Sequence, residues 1–380
     1  MESTKPKILI LTDWFVPGYK AGGPIKSVYN MVRLMCGEFD FRVLTRNTDW
    51  EDSIPYELEA DKWLNESNFQ VKYLSKKYLS AVFAEIRNAP ESTTLFFNGV
   101  YSPVFNALPL IYLLTLNKKC SIIVSARGML NANAIALKSE KKRILISVYR
   151  MLDIERKVLF HAASEAEQQA IKLVFSKAQI VLARNIPEPV SDHRTSFSTK
   201  NRNLFLSVAR ISPVKNTLFL IEQLGDLESL TLELIGSSDD ESYFQLCKET
   251  TRKAKAEILF RGALSPSELT DWYSKAGYGI FPTTGENFGH AIIEALAHGT
   301  PVIISDQTPW NDVEKFGAGW VISLDDPERW KETIKLATEI SDANYAQMSG
   351  RAMEYVRGKF DFDDIRKQYL NLFSAANRSQ

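Results

Sequence analysis

The feature that most constrains this fold is a regular alternation of short apolar segments with helical segments, which runs through the first half of the chain and restarts in the second. Such alternation is typical of parallel sheets whose strands are joined by helical crossovers. It predicts an α/β protein with two doubly wound, Rossmann-like sheets. The predicted strands are Ile8 to Thr12, Phe41 to Thr45, Phe69 to Leu74, Thr94 to Phe97, Ser121 to Ser125, Val158 to Ala162 and Ile180 to Ala183, then Leu204 to Val208, Leu232 to Ile235, Ile258 to Phe260, Tyr278 to Phe281, Val302 to Ile304 and Trp320 to Ile322.

A segment with few apolar residues separates the two halves. Ile186 to Asn203 contains Pro187, Pro189 and several serines and threonines, a composition typical of linkers. The chain has 380 residues, of which 45% are hydrophobic, enough to bury two cores. We therefore predict an N-terminal domain over residues 1–188 and a C-terminal domain over residues 200–361.

The balance of charge and the cysteine spacing exclude several classes of protein. The 46 basic and 46 acidic residues give a formal net charge of zero, so no global field favours nucleic acid as a partner. Cys36, Cys120 and Cys247 are scattered singly, without the spacing of a zinc site or a disulfide framework. The N-terminal segment lacks the pattern of a signal peptide, and no apolar run reaches the roughly 18 residues that span a bilayer. These features favour a cytoplasmic protein.

Two glutamates flank the start of a predicted helix in the second half. Glu286 follows a buried strand, and Glu294 lies within the next helix, which Gly299 ends. Unpaired amides and the helix dipole favour an oxygen-rich anionic ligand at such a helix start, where three residues contribute their amides: Asn287, Phe288 and Gly289. Two carboxylates beside these amides suit a polyhydroxylated, phosphorylated molecule. The alternative is that both glutamates simply face water.

Two cations flank the loop after the first strand of the second half. Arg210 and Lys215 lie between the strand Leu204 to Val208 and a helix from Thr217 to Leu224. An anion at this strand end meets both cations and the helix amides, an arrangement that suits a diphosphate. No Asp-x-Asp pair stands near these strand ends, so fixed cations would replace a metal ion. The alternative is a pair of exposed loop cations.

A glycine pair follows the first strand of the chain. Gly22 and Gly23 precede a helix from Ile25 to Met35, and their backbone allows close approach of a ligand. The G-x-G-x-x-G fingerprint of nicotinamide and flavin sites is absent, and so are the lysine and hydroxyl residue of a P-loop. An ordinary glycine turn is the alternative interpretation.

Together these features resemble the retaining, family 4 type of glycosyltransferase, which has the GT-B fold of two Rossmann-like domains facing a central cleft. The resemblance spans nearly the full chain. It rests on Gly22-Gly23, on Arg210 with Lys215, on Pro282-Thr283-Thr284-Gly285-Glu286-Asn287-Phe288-Gly289, on Glu294 and on the final segment Phe360 to Leu372. It also implies that the C-terminal helix, residues 362–380, returns to pack on the first domain.

The resemblance implies transfer of a sugar from a nucleoside diphosphate sugar, with UDP or GDP, to an acceptor hydroxyl, with retention of anomeric configuration and without a metal. Arg210 and Lys215 would hold the diphosphate, Glu294 the ribose hydroxyls and Glu286 the donor sugar. Other donor contacts would come from Gly22, Gly23, Asn287, Phe288 and Gly289, and from backbone around Arg261, Gly262 and Leu264. Double displacement would require a carboxylate nucleophile, and no acidic residue of the sequence is an evident candidate for that role. We therefore favour front-face departure and attack.

The acceptor is expected to bind the first domain. The stretch Ala126-Arg127-Gly128-Met129 stands where many relatives place a histidine or aspartate. Arg127 is therefore a candidate contact of the acceptor or of the donor phosphate, with pairing to a local carboxylate as the alternative. Leu137 to Phe160 mixes basic and apolar residues, so it is either a helix that touches anionic lipid or an ordinary surface helix. His161 is interpreted as a structural core residue.

The resemblance thus implies an enzyme of polysaccharide or glycoconjugate biosynthesis, acting on a glycan or lipid-linked glycan. Two alternatives stay open. One is a nucleotide-sugar epimerase of the same architecture, and the other is a non-catalytic subunit that binds sugar nucleotides.

Overall fold

The protein is described from a computed structural model that covers residues 5–116, 118–131, 135, 139–188, 200–238 and 240–378. The chain divides into two compact units. One comprises Met1–Ile186 together with Phe362–Gln380, and the other comprises Pro187–Asp361. Within the described residues, no helix combines the length and the apolar character that crossing a membrane requires.

The first unit is built on an eight-stranded sheet with the order β3-β4-β2-β1-β5-β6-β7-β8. All neighbouring strands are parallel except β3 and β4. The strands are β1 Lys7–Leu11, β2 Asp40–Arg46, β3 Trp63–Glu66, β4 Phe69–Leu74, β5 Thr94–Asn98, β6 Ile122–Ser125, β7 Leu159–Ala162 and β8 Gln179–Leu182. The sequence-based strands of this half are confirmed, and β3 was missed. This short edge strand is half-exposed and pairs as a hairpin with β4, so it lacks the apolar run that marks the others.

Helices cover both faces of this sheet. They are Gly23–Met35, Tyr78–Asn88, Leu108–Thr115, Ser139–Met151, Ile154–Lys157, Glu165–Val174 and Phe362–Arg378, with a π-helical turn over Pro103–Ala107. The last helix is held to the sheet by side-chain hydrogen bonds. Asn377 Oδ1 accepts from Thr94 Oγ1 at 3.2 Å and from Ser121 Oγ at 3.0 Å, and Gln368 Oε1 accepts from the Arg184 amide. The C-terminal helix is therefore part of the first unit.

The basic segment from Leu137 onward does not form one helix. Residues 137 and 138 lie outside the described residues, the helix that follows ends at Met151, and a short helix covers Ile154–Lys157. Asp153 separates the two with a left-handed backbone conformation, φ 52°. The break lets Ile154 and Glu155 turn into the interior, which a continuous surface helix would not allow.

The second unit contains a six-stranded parallel sheet with the order β11-β10-β9-β12-β13-β14. The strands are β9 Asn201–Val208, β10 Thr231–Ile235, β11 Glu257–Gly262, β12 Ala276–Phe281, β13 Val302–Ser305 and β14 Gly319–Ile322. The helices are Thr217–Gly225, Glu241–Thr251, Pro266–Lys275, His290–Ala297, Val313–Phe316, Pro327–Glu339 and Asp342–Lys359, with a 3-10 turn over Pro213–Lys215. Each strand predicted for this half is confirmed, and so is the doubly wound, parallel α/β fold of both units.

The predicted linker overlaps the start of this sheet. Residues 189–199 lie outside the described residues, and β9 already begins at Asn201, so Asn201 to Asn203 are strand rather than linker. Pairing of β9 with β10 and β12 makes a polar start such as Asn201 tolerable, because its backbone bonds into the ladder.

One buried lysine ties the amino ends of these strands together. Lys200 Nζ donates to the Tyr273 carbonyl at 2.7 Å, to Thr300 Oγ1 at 2.7 Å and to the Ala276 carbonyl at 3.4 Å. Burial lowers the pKa of Lys200 to about 7. Lys200 therefore links the start of β9 to the residues that precede β12 and β13.

Candidate functional site

The sheet of the second unit reverses its winding direction between β9 and β12. From β9 the chain proceeds to β10 and β11 on one side, and then returns to place β12, β13 and β14 on the other. Loops that leave the carboxyl ends of two such strands separate from each other and leave a crevice, which is where open α/β sheets bind ligands. Both charged loops found in the sequence leave from these two strands.

The loop after β9 carries Arg210 and Lys215. It extends the sheet briefly, since the Ala209 amide donates to the Ile235 carbonyl and the Ile211 amide donates to the Ser237 carbonyl. A side chain at Gly236 would lie 2.0 Å from the Ala209 carbonyl oxygen, so only glycine permits this approach. Arg210 is exposed, and Lys215 ends the 3-10 turn before the helix Thr217–Gly225.

The loop after β12 is fixed onto the loop after β9. The Val214 carbonyl accepts from the Thr283 hydroxyl at 3.0 Å and from the Thr284 amide at 2.9 Å. The Glu286 amide donates to the Gln307 carbonyl at 3.2 Å, which ties the same loop to the chain after β13. These bonds hold Glu286 at the point where the winding direction reverses.

Lys215 and Glu286 form an ion pair there. Lys215 Nζ lies 2.5 Å from Glu286 Oε2, and the two side chains are 23% and 18% exposed. The second carboxylate oxygen, Oε1, accepts from the Asn287 amide at 3.1 Å. Because the pair is only partly buried, exchange of either partner for a ligand group costs little desolvation.

Glu286 leads into the start of the helix His290–Ala297. Gly289 caps this helix in the left-handed conformation, φ 77°, which favours glycine, and an added Cβ would lie 3.1 Å from Glu286 Cγ. Trp310 Nε1 donates to the Phe288 carbonyl at 2.5 Å. In a trans peptide the next amide points the opposite way, so this bond directs the Gly289 N–H away from Trp310. The helix start therefore has a fixed orientation.

Glu294 lies on the helix that follows Asn287, Phe288 and Gly289, the three residues whose amides were predicted to face a ligand. Its carboxylate accepts from Tyr273 Oη, with 3.2 Å between Tyr273 Oη and Glu294 Oε2. Burial, with the nearby Glu294 charge, holds the pKa of Tyr273 well above its usual value, so Tyr273 stays a donor. Sequence reasoning missed Tyr273 and Trp310, because an aromatic residue with a polar atom gives no signal until its acceptor is known.

The end of β11 carries the remaining predicted donor contacts. Arg261 donates to both oxygens of Glu233, at 2.7 and 2.9 Å, and its guanidinium carbon lies 5.4 Å from the centre of the Trp272 ring. The Gly262 carbonyl accepts from the Gly236 amide at 2.8 Å, and Leu264 packs partly buried against the core. The Arg261 side chain thus has a structural partner, while the role of this backbone in binding a base stays a prediction.

Gly22 and Gly23 lie in the first unit, after β1. Gly22 precedes the helix Gly23–Met35 with φ 70° and ψ −128°. The loop before it is held by Asp49, whose Oδ2 accepts from the Tyr19 amide at 2.7 Å and from the Lys20 amide at 3.1 Å. The glycine pair is thus presented on a fixed loop, and its contact with a donor stays a prediction.

Arg127 belongs to a polar cluster at the carboxyl edge of the first sheet. Its Nε donates to Asn98 Oδ1 at 2.7 Å and its Nη1 donates to Asn185 Oδ1 at 2.6 Å, while Nη2 is buried without a hydrogen-bond partner in the described part of the chain. Glu167 bonds the Gly128 amide. Arg127 thus pairs with two side-chain amide oxygens rather than with the local carboxylate considered as the alternative. Acceptor binding by Arg127 stays a prediction.

His161 lies beside this cluster as a core residue. Its Nδ1 lies 2.9 Å from Ser125 Oγ and its Nε2 lies 2.8 Å from the Ala183 carbonyl. Burial, with a smaller effect of Arg127, lowers the pKa of His161 to about 3. The ring is therefore neutral, Nε2–H donates to Ala183, and the structural interpretation of His161 is confirmed.

Metal ligands are not grouped anywhere in the part of the chain described above. Among those residues, no three His, Cys, Asp or Glu side chains lie together in a way that could hold a metal ion. Asp240 and Asp326 each cap the start of a helix, where their carboxylates accept from the Tyr243 and Arg329 amides. Asp239 lies outside the described residues.

One family model matches a stretch of the chain that lies within the second unit. Residues 191–354 match the model of the family described as "Glycosyl transferases group 1". The chain is 30% identical over 173 residues to the O-antigen chain mannosyltransferase of Salmonella typhimurium, covering 45% of this chain and 47% of that protein. It is 25% identical over 244 residues to a D-inositol 3-phosphate glycosyltransferase of Nocardioides, covering 59% and 52%. The chain thus spans about half the length of these curated relatives.

Solved structures match over nearly the whole chain. Sucrose-phosphate synthase from Thermosynechococcus elongatus superposes with a TM-score of 0.72 at 17% identity, covering 99% of this chain and 100% of that one. HepE from Anabaena, solved with UDP and glucose, superposes with a TM-score of 0.67 at 16% identity, covering 97% and 99%. Residues 191–354 therefore match the glycosyl transferases group 1 family, and the chain has the GT-B fold of two Rossmann-like units.

Proposed function

We propose that this protein transfers a sugar from a nucleoside diphosphate sugar to an acceptor hydroxyl, with retention of anomeric configuration. The observation that carries the proposal is the Lys215–Glu286 ion pair, at the winding reversal of a unit in which residues 191–354 match the group 1 glycosyltransferases. A cation suits the diphosphate and a carboxylate suits the sugar hydroxyls, and the two are already 2.5 Å apart.

On this proposal each charged group has one role towards the donor. Arg210 and Lys215 bind the diphosphate, and Lys215 exchanges its bond to Glu286 for a phosphate oxygen. Glu286 then accepts hydrogen bonds from hydroxyls of the donor sugar, and Glu294 accepts them from the ribose. The remaining contacts are assigned to backbone at Gly22, Gly23, Gly262, Leu264, Asn287, Phe288 and Gly289.

The difficult step is departure of the nucleoside diphosphate. The bond between the anomeric carbon and the phosphate oxygen breaks, charge accumulates on the phosphate, and the sugar becomes oxocarbenium-like. Arg210, Lys215 and the first amides of the helix His290–Ala297 oppose that charge, as fixed dipoles and cations do in other transfer reactions. The acceptor oxygen attacks from the face that the phosphate leaves, and its proton passes to the departing phosphate oxygen.

The proposed reaction needs no metal, because Arg210 and Lys215 supply the positive charge that a divalent ion supplies elsewhere. The donor base is uracil or guanine. A relative in the solved set was crystallised with UDP and glucose, which supports a UDP-sugar as the first donor to test. Addition of EDTA is expected to leave the rate of transfer unchanged, and loss of activity on chelation would contradict this part of the proposal.

We assign acceptor recognition to the first unit, with Arg127 as a candidate, and we place the enzyme in polysaccharide or glycoconjugate synthesis. A lipid-linked acceptor at the inner face of the membrane is supported by the helix Ser139–Met151. Ile144 and Met151 are 65% and 76% exposed on it, and Lys141 and Arg143 are exposed beside them. Exposed apolar side chains among basic ones suit an anionic lipid surface.

Sedimentation with vesicles tests that contact. Binding to vesicles containing one-third phosphatidylglycerol should exceed binding to pure phosphatidylcholine, and it should fall several-fold in the double variant Ile144→Ser, Met151→Ser. The double variant Leu246→Ser, Leu336→Ser, which removes two exposed apolar side chains in the second unit, is the matched control. Equal sedimentation of the three proteins would remove the membrane contact and leave a soluble glycan as the acceptor.

A donor screen tests the central proposal. Thermal stability should rise with one class of nucleotide sugar, by an amount that grows with ligand concentration, because a ligand that binds only the folded state stabilises it. Transfer to an acceptor panel and NMR of the product then report turnover and anomeric configuration. Conversion of the donor without an acceptor would favour an epimerase instead. Binding without turnover on any acceptor would favour a non-catalytic subunit.

A further inference from the structure

Tyr273 is buried between two helices of the second unit, and its hydroxyl reaches Glu294. The hydroxyl oxygen lies 3.2 Å from Glu294 Oε2 and 3.4 Å from the Ala291 carbonyl oxygen. A carboxylate is the stronger acceptor of the two, so the single hydroxyl proton is directed at Glu294. Tyr273 lies on the helix Pro266–Lys275 and Glu294 on the helix His290–Ala297, so the bond joins two separate elements.

The position of Tyr273 is itself fixed from three sides. Its ring is 1% exposed and stacks on the His298 ring, with 5.3 Å between the centroids. Its carbonyl accepts from Lys200 Nζ at 2.7 Å and from Thr300 Oγ1 at 2.8 Å. His298 Nδ1 also lies 2.8 Å from the Glu294 carbonyl. A tyrosine held this firmly can act as a rigid support for a flexible side chain.

We propose that Tyr273 is a positioning residue for nucleotide recognition: its hydroxyl holds the Glu294 carboxylate in the orientation that accepts the vicinal hydroxyls of the ribose. This inference rests on the proposed function, because it requires Glu294 to bind the donor. A glutamate side chain that is ordered before the ligand arrives avoids the entropy cost of ordering it on binding. Tyr273 therefore contributes to donor affinity without touching the donor.

The main test removes only the hydroxyl. Tyr273→Phe should raise the KM for the donor about tenfold, the loss that corresponds to one hydrogen bond to a charged group, and should leave kcat within twofold. Tyr278→Phe is the matched control, because Tyr278 is equally buried in the same unit and donates to the Ala337 carbonyl at 2.6 Å. Both variants lose one buried hydrogen bond, so a merely structural effect would appear in both.

A second measurement isolates the ribose. Binding of UDP and of GDP is compared with binding of their 2′,3′-dideoxy forms, by calorimetry, in wild type, Tyr273→Phe, Glu294→Gln and the double variant. We expect the wild type to prefer the ribose form, each single variant to lose most of that preference, and the double variant to lose little more. Should Tyr273→Phe fail to fold, His298→Leu, which removes the ring stacked on Tyr273, should reduce the same preference.

The outcomes separate this inference from the function on which it rests. If the wild type binds neither UDP, GDP nor any sugar nucleotide, the proposed function is wrong. If Glu294→Gln loses the preference for ribose while Tyr273→Phe keeps it, or if Tyr278→Phe raises the donor KM as much as Tyr273→Phe, only the positioning role is overturned. Additive losses in the double variant would overturn it as well, because residues that act through one contact are not additive.

Discussion

The carboxyl edges of the two sheets both carry polar side chains but pair them in different ways. In the first unit, Arg127 donates to Asn98 and to Asn185, and the Nη2 atom of the arginine is buried. In the second unit, Lys215 and Glu286 form a pair that remains about one-fifth exposed to solvent. Both sets lie at or beyond the carboxyl ends of parallel strands, so this position alone does not distinguish them.

This difference helps to distinguish polar groups that stabilise the fold from polar groups that bind a ligand. Polar groups that satisfy one another in the interior fix the loops that carry them, and removing one member leaves the others unpaired. A partly exposed ion pair contributes little to stability, since water competes for both partners, and it can exchange a partner for a ligand. We therefore expect substitutions in the first set to change stability and substitutions in the second set to change turnover.

The largest expected effect is on turnover in the second unit. Lys215→Ala should lower kcat by about 10²- to 10³-fold, the usual loss when one fixed group that opposes transition-state charge is removed. Its unfolding free energy should change by less than about 1 kcal/mol, because a partly exposed ion pair is lost. Steady-state kinetics and urea unfolding measure the two quantities.

Lys255→Ala is the matched control for Lys215→Ala. It also removes a lysine from an ion pair of the second unit, with Glu228 at 3.0 Å, but this pair is largely exposed and lies away from the winding reversal. Its kcat should equal that of the wild type. An equal loss in the two variants would show that the Lys215–Glu286 pair has no special place in the reaction.

The next effect is on stability in the first unit. Arg127→Met should lower the unfolding free energy by about 2–4 kcal/mol, because two amide oxygens lose a charged donor in the interior. The KM for the acceptor, measured on the folded fraction, reports separately whether Arg127 also contacts the acceptor as proposed above. Arg150→Met, which removes an exposed arginine bonded to the Val174 carbonyl, is the control and should cost less than about 1 kcal/mol.

A different result for Arg127→Met would point to a role in binding rather than in stability. Unchanged unfolding with a raised KM for the acceptor would support the acceptor role that the sequence suggested for Arg127. It would also mean that the buried polar cluster opens when the acceptor binds.

The smallest expected effect is a dependence of stability on pH, which arises from His161 in the first unit. The pKa of His161 is lowered to about 3 in the folded protein, whereas an unfolded histidine titrates near its usual 6.5. Below pH 6.5 the unfolded chain gains a proton that the folded chain does not, so stability falls by up to about 1.4 kcal/mol per pH unit as pH falls towards 3. Above pH 6.5 this contribution is fully present.

Urea unfolding of wild type and His161→Gln between pH 7 and pH 5 measures this slope. Other groups titrate in the same range, so the informative quantity is the difference in slope between the two proteins. A variant that loses stability with pH as steeply as the wild type would contradict a neutral, buried His161.

Most elements of the fold could be predicted because they leave local patterns. The strand segments are continuous apolar runs, which is what a sheet buried on both faces requires. β3 escaped prediction because Trp63–Glu66 is short and half-exposed. The helix expected from Leu137 is interrupted at Asp153. The left-handed backbone of Asp153 allows burial of Ile154, and no local sequence pattern predicts that turn.

The candidate site was predictable in part for the same reason. Glu286 in a loop and Glu294 on the following helix are separated by a short stretch of chain, so local structure places both. Tyr273 and Trp310 lie on other elements, and their bonds to Glu294 and to the Phe288 carbonyl depend on how helices pack. Arg127 was a candidate ligand contact from its position after β6, and its two amide partners come from β5 and from the chain after β8.

Local sequence patterns were enough to predict the alternation of strands and helices. They also placed Arg210 and Lys215 after β9 and the two-glutamate motif after β12. The ion pair between Lys215 and Glu286, which are 71 residues apart, could be found only from the tertiary structure. The physical reason is the order of the sheet. β10 and β11 are added on one side of β9 before β12 returns to the other, and this return across the sheet joins the two loops at one edge.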